Sequence, residues 1–236
     1  MKVKVNINTI YPIEVEMLSG TYDPTSSAII RKFIRKDSVV IDVGANVGVF
    51  SLAALAANPH ACVHAFEPTP HIALQLRQTA NLNRLEGHLH LHPVALSDHR
   101  GLSHLVNCDG GGDNGGMNFL VDSPRKDGTS QPVETDTLDA FVEREGVAHI
   151  DLLKIDVQGH EAAVLRGARA CLRNRQLRSI LLELNWGPDP GSCVATEFIE
   201  ILSAHGFIFQ DPLSHRPPQP AGQWMRNLDD VIAVLP

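Results

Sequence analysis

The clearest chemical signal in this chain is a glycine-bearing turn that is followed by an acid. Residues 38–43 form a short apolar run that contains Asp42, and the turn 44–48 comes directly after it. Gly44 has no Cβ, so a ligand can approach its backbone closely, and a helix start beyond the turn offers free N–H groups. Glu67 follows the next apolar run, where a carboxylate can accept hydrogen bonds from both ribose hydroxyls of an adenosine. Together these features predict a site for an adenosine-containing cofactor.

The spacing within the turn distinguishes between such cofactors. Dinucleotide-binding enzymes use G-x-G-x-x-G, which brings a pyrophosphate onto the helix. Here Gly44 and Gly48 flank Asn46, which replaces the middle glycine, and the lysine of a P-loop is missing. The pattern Asp-x-Gly-x-x-x-Gly instead resembles the first motif of class I methyltransferases, whose cofactor S-adenosyl-L-methionine (SAM) has no phosphate. The resemblance implies that Asp42 and Gly44 border the methionine part of SAM and that Glu67 holds its ribose, with Asn46 and Gly48 in the same cofactor site.

Over residues 38–185 the chain resembles one family in particular, the FkbM methyltransferases. Five motifs carry this resemblance, at 41–48 (IDVGANVG), 66–68 (FEP), 94–98 (VALSD), 137–139 (TLD) and 153–161 (LKIDVQGHE). In that family the last motif usually reads Lys-Ile-Asp-x-Glu-Gly-x-Glu, and Gln158 replaces the first of these glutamates. The resemblance implies a SAM-dependent O-methyltransferase that acts on a hydroxyl group of a small molecule, such as a sugar or a natural product.

The same resemblance extends the cofactor site to five further residues. Pro68 belongs to the motif of the ribose-binding acid. By analogy with the fold, Ala95 and Leu96 pass beside the adenine, and Ser97 and Asp98 are candidates for hydrogen bonds to it. The alternative is that this segment is a loop that only turns.

Candidate catalytic residues stand at the ends of two later apolar runs. Asp156 and Glu183 each end such a run, and ligands of open α/β sheets bind beyond the carboxyl ends of the strands. Asp156 stands where a substrate would meet the cofactor, so we count it with the cofactor site as well. It is a candidate for the base that takes the hydroxyl proton or for a group that orients the hydroxyl, although it is also placed to cap the next helix. His160 and Glu161 lie in the first turn of that helix. A histidine suits general base catalysis at neutral pH, whereas a glutamate there is also favoured by the helix dipole alone.

Apolar runs and helical segments alternate along the chain and determine where these residues lie. Runs of strand length occur at 38–43, 62–66, 88–94, 150–155, 179–184, 206–209 and 230–235. Segments with helical periodicity occur at 24–35, 49–57, 70–83, 138–145, 160–172 and 195–205. The alternation predicts an α/β fold with a Rossmann-like, doubly wound, mostly parallel seven-stranded sheet flanked by helices. Residues 1–20, where apolar and polar side chains alternate, predict an N-terminal β-hairpin.

One segment breaks the alternation. Residues 102–133 contain the glycine-rich stretch 109–118, whose composition is not that of a regular element. A long insertion in a compact domain is usually functional or disordered. We therefore interpret the stretch 109–118 as a lid over the substrate, with a flexible hairpin tip as the alternative. We otherwise expect a single domain over residues 1–236.

Composition narrows the range of partners. The formal net charge is −7 and no cluster of Lys and Arg stands out, which argues against nucleic acid. We find no apolar run of the ~18 residues that a membrane span requires, no signal peptide and no CxxC pair. We therefore expect a cytoplasmic protein with a hydroxylated small-molecule substrate and with no membrane or nucleic-acid partner. The sequence does not define the oligomeric state.

Three histidines form a pattern that we interpret conservatively. His88, His90 and His92 alternate along one run and so share one face, a spacing that can hold zinc. We interpret the row as a solvated strand face. Asp156 and Glu183 are a second pair that can bind a divalent cation, but nothing in the spacing requires it, and we predict no metal site. Two alternative functions are a nicotinamide-dependent oxidoreductase and a non-catalytic SAM-binding module.

Overall fold

The computed structural model describes residues 24–106, 118–184, 194–214, 216–222, 225, 228 and 230–236. The predicted N-terminal hairpin (1–20) and residues 109–117 of the predicted lid lie outside these residues. Within them the chain forms seven helices: α1 (Pro24–Phe33), α2 (Val49–Ala57), α3 (Pro70–Leu82), α4 (Leu138–Glu145), α5 (Glu161–Arg166), α6 (Arg169–Arg173) and α7 (Val194–Ala204). No helix in this part of the chain is long and apolar enough to cross a membrane.

The described residues also form eleven strands in two sheets. The strands are β1 (Val39–Val43), β2 (Cys62–Phe66), β3 (Leu89–His92), β4 (Ala95–Leu96), β5 (Gly101–Val106), β6 (Phe119–Val121), β7 (Ser130–Asp136), β8 (Leu152–Ile155), β9 (Ser179–Glu183), β10 (Ile208–Gln210) and β11 (Asp230–Val234). The main sheet has seven strands in the order β10-β11-β9-β8-β1-β2-β3. Strands β9, β8, β1, β2 and β3 are parallel, and β11 and β10 add an antiparallel edge. The predicted mostly parallel, seven-stranded α/β sheet is confirmed.

Alternating side chains along the strands separate two apolar cores. On β1, Val40 faces one core, whereas Ile41 and Val43 face the other. Helices α1, α2 and α3 cover the first core, and α4 to α7 cover the second. The parallel strands are therefore buried on both faces, which explains why they read as nearly continuous apolar runs. Two polar exceptions in these runs, Asp42 and Lys154, belong to the site described below.

The segment that breaks the sequence pattern contains a second sheet that we did not predict. Its four strands lie in the order β4-β7-β5-β6, and β5 pairs antiparallel with both β7 and β6. Two other predicted elements differ from the structure, one by ending early and one by being interrupted. The run 88–94 ends at His92, and β4 pairs with β7 instead of continuing the main sheet. The helix predicted for 160–172 is interrupted at Gly167, where a Cβ would lie 2.0 Å from the carbonyl oxygen of Ser97. Each difference coincides with a tertiary contact, the pairing of β4 with β7 in one case and the close approach of Gly167 to Ser97 in the other.

The interpretation of the histidine row as a solvated strand face is wrong. His64 on β2 pairs with His90 on β3, and the two rings stack 5.1 Å apart. His92 lies 3.1 Å from His64, measured between Nε2 and Nδ1, and stacks on Phe66. Phe141 from α4 packs edge-on against His64, His92 and Phe66. The row is therefore partly buried beneath a helix, which period-2 alternation alone does not indicate.

This burial makes the stability of the protein depend on pH. Burial lowers the pKa of His64 to about 4, with a further contribution from His92 and His90, and burial likewise lowers the pKa of His92 to about 4. The unfolded chain takes up protons on both imidazoles near the ordinary value of 6.5, so it binds more protons than the folded chain between pH 6.5 and 4. We expect the melting temperature to fall as the pH falls through this window.

The double variant His64→Leu, His92→Leu should show a smaller fall in melting temperature across the same window. His71→Gln, which changes an exposed histidine, serves as the control and should follow the wild type. Identical slopes of melting temperature against pH in the double variant and the wild type would mean that these two rings do not control acid stability.

Candidate active site

A cavity of about 320 Å³ opens at the carboxyl ends of the parallel strands. The chain leaves β1 towards β2 on one side and returns as β8 on the other, so the cavity lies where the strand order reverses, the usual ligand position in open α/β sheets. Eight of the residues predicted for the site line it: Gly44, Asn46, Glu67, Pro68, Ala95, Leu96, Asp156 and Glu183. The second sheet contributes Leu105 and Leu120 to the wall, together with Asn118, the one described residue of the predicted lid.

The two glycines of the turn serve different contacts. Gly44 has φ +76°, and a Cβ there would lie 2.0 Å from the carbonyl oxygen of Asp156. It lets the turn after β1 pass directly beside the end of β8. Gly48 has φ +85°, and its Cβ would collide with Leu76 of α3, so this glycine permits helix packing and lies off the cavity wall. Asn46 between them adopts φ +50°, a left-handed conformation that asparagine tolerates better than most residues.

The Glu67 carboxylate is fixed by the backbone around it. Its Oε2 accepts a hydrogen bond from the Asn46 amide at 2.9 Å, and its Oε1 accepts one from the Thr69 amide at 2.8 Å. Burial raises the pKa of Glu67, and these hydrogen bonds oppose that rise. Since a carboxylate oxygen can accept more than one hydrogen bond, both oxygens retain acceptor capacity on the cavity wall. The arrangement suits a ligand with two neighbouring hydroxyl groups.

Lys154 is a site residue that our sequence analysis did not identify. Its Nζ lies 3.2 Å from Asp42 Oδ1 and 3.3 Å from Asp156 Oδ2, and it donates to the Gly44 carbonyl at 3.1 Å. Asp42 is fully buried behind the cavity wall, and its Oδ2 accepts a hydrogen bond from Ser51 Oγ at 2.7 Å. Asp42 thus acts on the site through its ion pair with Lys154. The available signal was a lysine within an apolar run, because a buried lysine requires a partner.

Asp156 and Glu183 form a pair with divergent acidities. The Gln158 amide Nε2 donates to Asp156 Oδ1 at 3.3 Å and to Glu183 Oε2 at 3.2 Å. Burial disfavours the charged form of Asp156, but the charge and hydrogen bond of Lys154, together with hydrogen bonds from Glu183 and Gln158, outweigh it and lower the pKa of Asp156. Burial, followed by the charge of Asp156, raises the pKa of Glu183 to about 7. Carboxylates whose acidities are separated in this way are typical of acid–base sites.

Four predicted residues have protein partners away from the cavity wall. Ser97 Oγ lies 2.9 Å from His160 Nε2, which joins the loop after β4 to the start of α5. Asp98 is exposed and accepts a hydrogen bond from Arg166 Nε at 3.0 Å. Glu161 Oε1 accepts hydrogen bonds from the amides of residues 157 and 159, so this side chain holds the loop that precedes its own helix. In this arrangement all four side chains hold the loop and helix in place. No cluster of three or more metal-ligating side chains occurs among the described residues.

The chain is similar to proteins of one methyltransferase family. The family described as Methyltransferase FkbM domain matches residues 42–209. The 31-O-demethyl-FK506 methyltransferase FkbM of Streptomyces tacrolimicus is 32% identical over 76% of this chain and 77% of that protein. The 2-O-methyltransferase NoeI of Sinorhizobium fredii is 31% identical over 66% and 70%. The AMB antimetabolite synthetase AmbE of Pseudomonas aeruginosa is 31% identical over 75% of this chain, which spans only 10% of that protein.

Solved structures give the same fold. A putative caffeoyl-CoA O-methyltransferase from Staphylococcus aureus superposes with a TM-score of 0.54 at 11% identity, over 96% of this chain and 93% of that chain. At this identity the likeness concerns the fold alone.

Proposed function

The chain belongs to the FkbM methyltransferase family and is a methyltransferase, and from this premise we propose that it transfers the methyl group of SAM to a hydroxyl group of a small molecule. Family membership replaces the nicotinamide-dependent oxidoreductase that we considered as an alternative. The names of the two methyltransferase relatives support an oxygen acceptor, since one refers to the 31-O position of FK506 and the other to a 2-O position. The acceptor class proposed here is a sugar or natural-product hydroxyl.

The cavity has groups that fit SAM. The acceptor oxygens of Glu67 suit the two ribose hydroxyls, and Ala95 and Leu96 offer an apolar wall for the adenine. The amino-acid end would lie towards the turn at Gly44 and the carboxylate of Asp156. When bound, SAM supplies an electrophilic methyl group on a sulfonium sulfur.

The protein would accelerate the reaction by orientation and proton removal. Asp156 and Glu183 line one side of the cavity, where they can position an acceptor hydroxyl and take its proton. Leu105 and Leu120 contribute apolar surface on the cavity wall, which helps to exclude water. Holding the hydroxyl in line with the methyl group can contribute about 7–11 kcal/mol to lowering the barrier.

The observation that carries the proposal is the placement of Glu67 and the Asp156–Glu183 pair on the walls of one cavity at the strand ends. Titration calorimetry with SAM and with S-adenosylhomocysteine tests the cofactor. Product analysis by mass spectrometry, with methyl glycosides and cyclohexane-1,2-diol as acceptors, tests methyl transfer. Binding without any methylated product would refute the proposed acceptor class, and no binding of either compound would refute the proposed cofactor.

Glu67→Gln should weaken SAM binding about 10- to 100-fold, because a hydrogen bond to a charged group contributes about 1.5–3 kcal/mol. The amide also places a donor against one of the backbone N–H groups that fix the side chain. Calorimetry measures the affinity, and the melting temperature shows whether the variant is folded. Glu86→Gln, at an exposed position, is the matched control. Wild-type affinity in a folded Glu67→Gln protein would remove Glu67 from the cofactor site.

A further inference from the structure

Resting on the function proposed above, we infer that Glu183 is the base that takes the acceptor's hydroxyl proton, and that Lys154 is the positioning residue that reserves this role for Glu183. Either carboxylate of the pair lines the cavity and was a candidate from the sequence. Their surroundings differ, and the difference assigns the roles.

The cation of the site is bound to one carboxylate of the pair. Lys154 Nζ lies 3.3 Å from Asp156 Oδ2, and it is held there by Asp42 at 3.2 Å and by the Gly44 carbonyl at 3.1 Å. Asp42 is itself fixed by Ser51 and is fully buried, so the lysine has little freedom to move towards Glu183. Asp156 therefore stays ionised, and an ionised carboxylate in an ion pair is a weak proton acceptor.

Glu183 faces mostly negative charge. Burial first, and then the carboxylates of Asp156, Glu161 and Asp230 at the end of β8, in α5 and in β11, together raise the pKa of Glu183 to about 7. A base whose pKa is near the operating pH combines a useful deprotonated fraction with a strong pull on the proton. Glu183 meets this condition, whereas Asp156 does not.

Gln158 keeps the two carboxylates together without adding charge. It adopts φ +51°, a strained conformation for a residue other than glycine, and from there its amide donates to both acids. A glutamate at this position has no such donor when ionised. The replacement of the usual family acid thus leaves a pair of carboxylates bridged by a neutral group.

Glu183 accepts the hydroxyl proton while the acceptor oxygen forms its bond to the methyl carbon. The electron pair of the broken carbon–sulfur bond stays on sulfur, which becomes a neutral thioether. Glu183 then releases the proton to solvent, so no additional reactant is required.

The charge arrangement is tested on the protein alone by ¹³C NMR of glutamate labelled at the side-chain carboxyl, with Glu183 assigned by its absence in Glu183→Gln. We expect the Glu183 signal to titrate near pH 7 in the wild type. Asp156→Asn removes a negative neighbour, so the titration should move to lower pH. Lys154→Gln removes a positive charge, so the ionisation of Glu183 beside a charged Asp156 becomes less favourable. The Glu183 titration should therefore move to higher pH. Lys154→Arg should restore it towards the wild type. Unmoved titrations in both charge variants would overturn the role of Lys154.

The catalytic assignment is tested by single-turnover methyl transfer to the acceptor that gives product in the panel above. Glu183→Gln should lower the rate constant at least about 100-fold, the lower end of the effect of a general base. Asp156→Asn should lower the rate constant less than Glu183→Gln does, and it should shift the acidic limb of the pH–rate profile to lower pH. Glu134→Gln, at an exposed position, is the control. The reverse pattern, with activity lost in Asp156→Asn and kept in Glu183→Gln, would overturn the assignment.

Calorimetry on the same variants separates this inference from the function on which it rests. Wild-type SAM affinity in Glu183→Gln shows that the variant is folded and that its loss of rate arises in the transfer step. Absence of SAM binding in the wild type itself would instead refute the cofactor, and both proposals with it.

Discussion

Gly44→Ala should lower the free energy of unfolding by roughly 2–6 kcal/mol and remove measurable SAM binding. The residue has φ +76°, which costs an alanine energy in any surroundings. In addition, the new Cβ would lie 2.0 Å from the carbonyl oxygen of Asp156 and 3.1 Å from its carbonyl carbon. The obstructing atoms belong to the backbone, so no side-chain rotation relieves the contact. The ends of β1 and β8 would have to separate.

That separation would disturb several groups of the proposed site at once. The Asp156 amide donates to the Val43 carbonyl at 3.1 Å, and the Gly44 amide donates to the Phe66 carbonyl at 3.0 Å. Lys154 also donates to the Gly44 carbonyl. A shift of the turn therefore moves both the cofactor side and the acceptor side of the cavity.

Two other glycines distinguish the cost of the left-handed backbone from the cost of the steric collision. Gly128 has φ +73° with open space around it, so Gly128→Ala should cost only the backbone term of about 1–2 kcal/mol. Gly167 lacks a positive φ, but its Cβ would lie 2.0 Å from the Ser97 carbonyl oxygen, so Gly167→Ala isolates the collision. Urea denaturation measures the free energy of unfolding, and calorimetry measures SAM affinity. If Gly44→Ala is no less stable than Gly128→Ala, the close approach to β8 has no energetic importance.

Asp42→Ala should cost about 3–5 kcal/mol of stability, the usual effect of removing one partner from a buried ion pair. Asp42 is fully buried, and the Lys154 side chain is 12% exposed, so water cannot replace the lost carboxylate. Ser51 would also lose its acceptor. Lys154 would turn further towards Asp156, which would weaken its contact with the Gly44 carbonyl, and SAM affinity should fall as a result.

A double variant distinguishes stability from activity. Asp42→Leu together with Lys154→Met removes both charges, and replacing a buried pair with apolar side chains is often neutral or stabilising. We expect stability to return while methyl transfer does not, because Asp156 has lost its cation. Arg178→Ala, which breaks the more exposed ion pair with Asp151, should cost at most about 1 kcal/mol and serves as the control. Equal stability losses in Asp42→Ala and Arg178→Ala would show that burial adds nothing to the Asp42 pair.

Much of the fold followed from the sequence because its signals are local. Apolar runs of strand length, helical periodicity and the glycine turn each depend on neighbouring residues. They predicted the succession of the main-sheet strands and the helices along the chain. The position of Glu67 was also predictable, because a strand end followed by a glycine turn places the next strand's acid beside it. The second sheet was not, since β5 and β7 mix exposed and buried positions instead of forming apolar runs, and β5 pairs with β6 and β7 across the glycine-rich segment.

The assignment of individual polar residues required the tertiary structure. Ser97, His160 and Glu161 lie beside the expected site in sequence, yet their side chains bond to the protein. In the sequence Lys154 is an isolated lysine within an apolar run, whereas in the sheet it is paired in register with Asp42.

By itself, then, the sequence determined the α/β architecture, the methyltransferase family and the set of acids from which a base can come. Only the tertiary structure decided which of those acids has a cation, which is half-buried against like charge and which holds the loop before a helix. The physical reason is that acidity and accessibility depend on the distances between charges. Those distances are set by the pairing of strands that lie far apart in the chain, as β1 and β8 do.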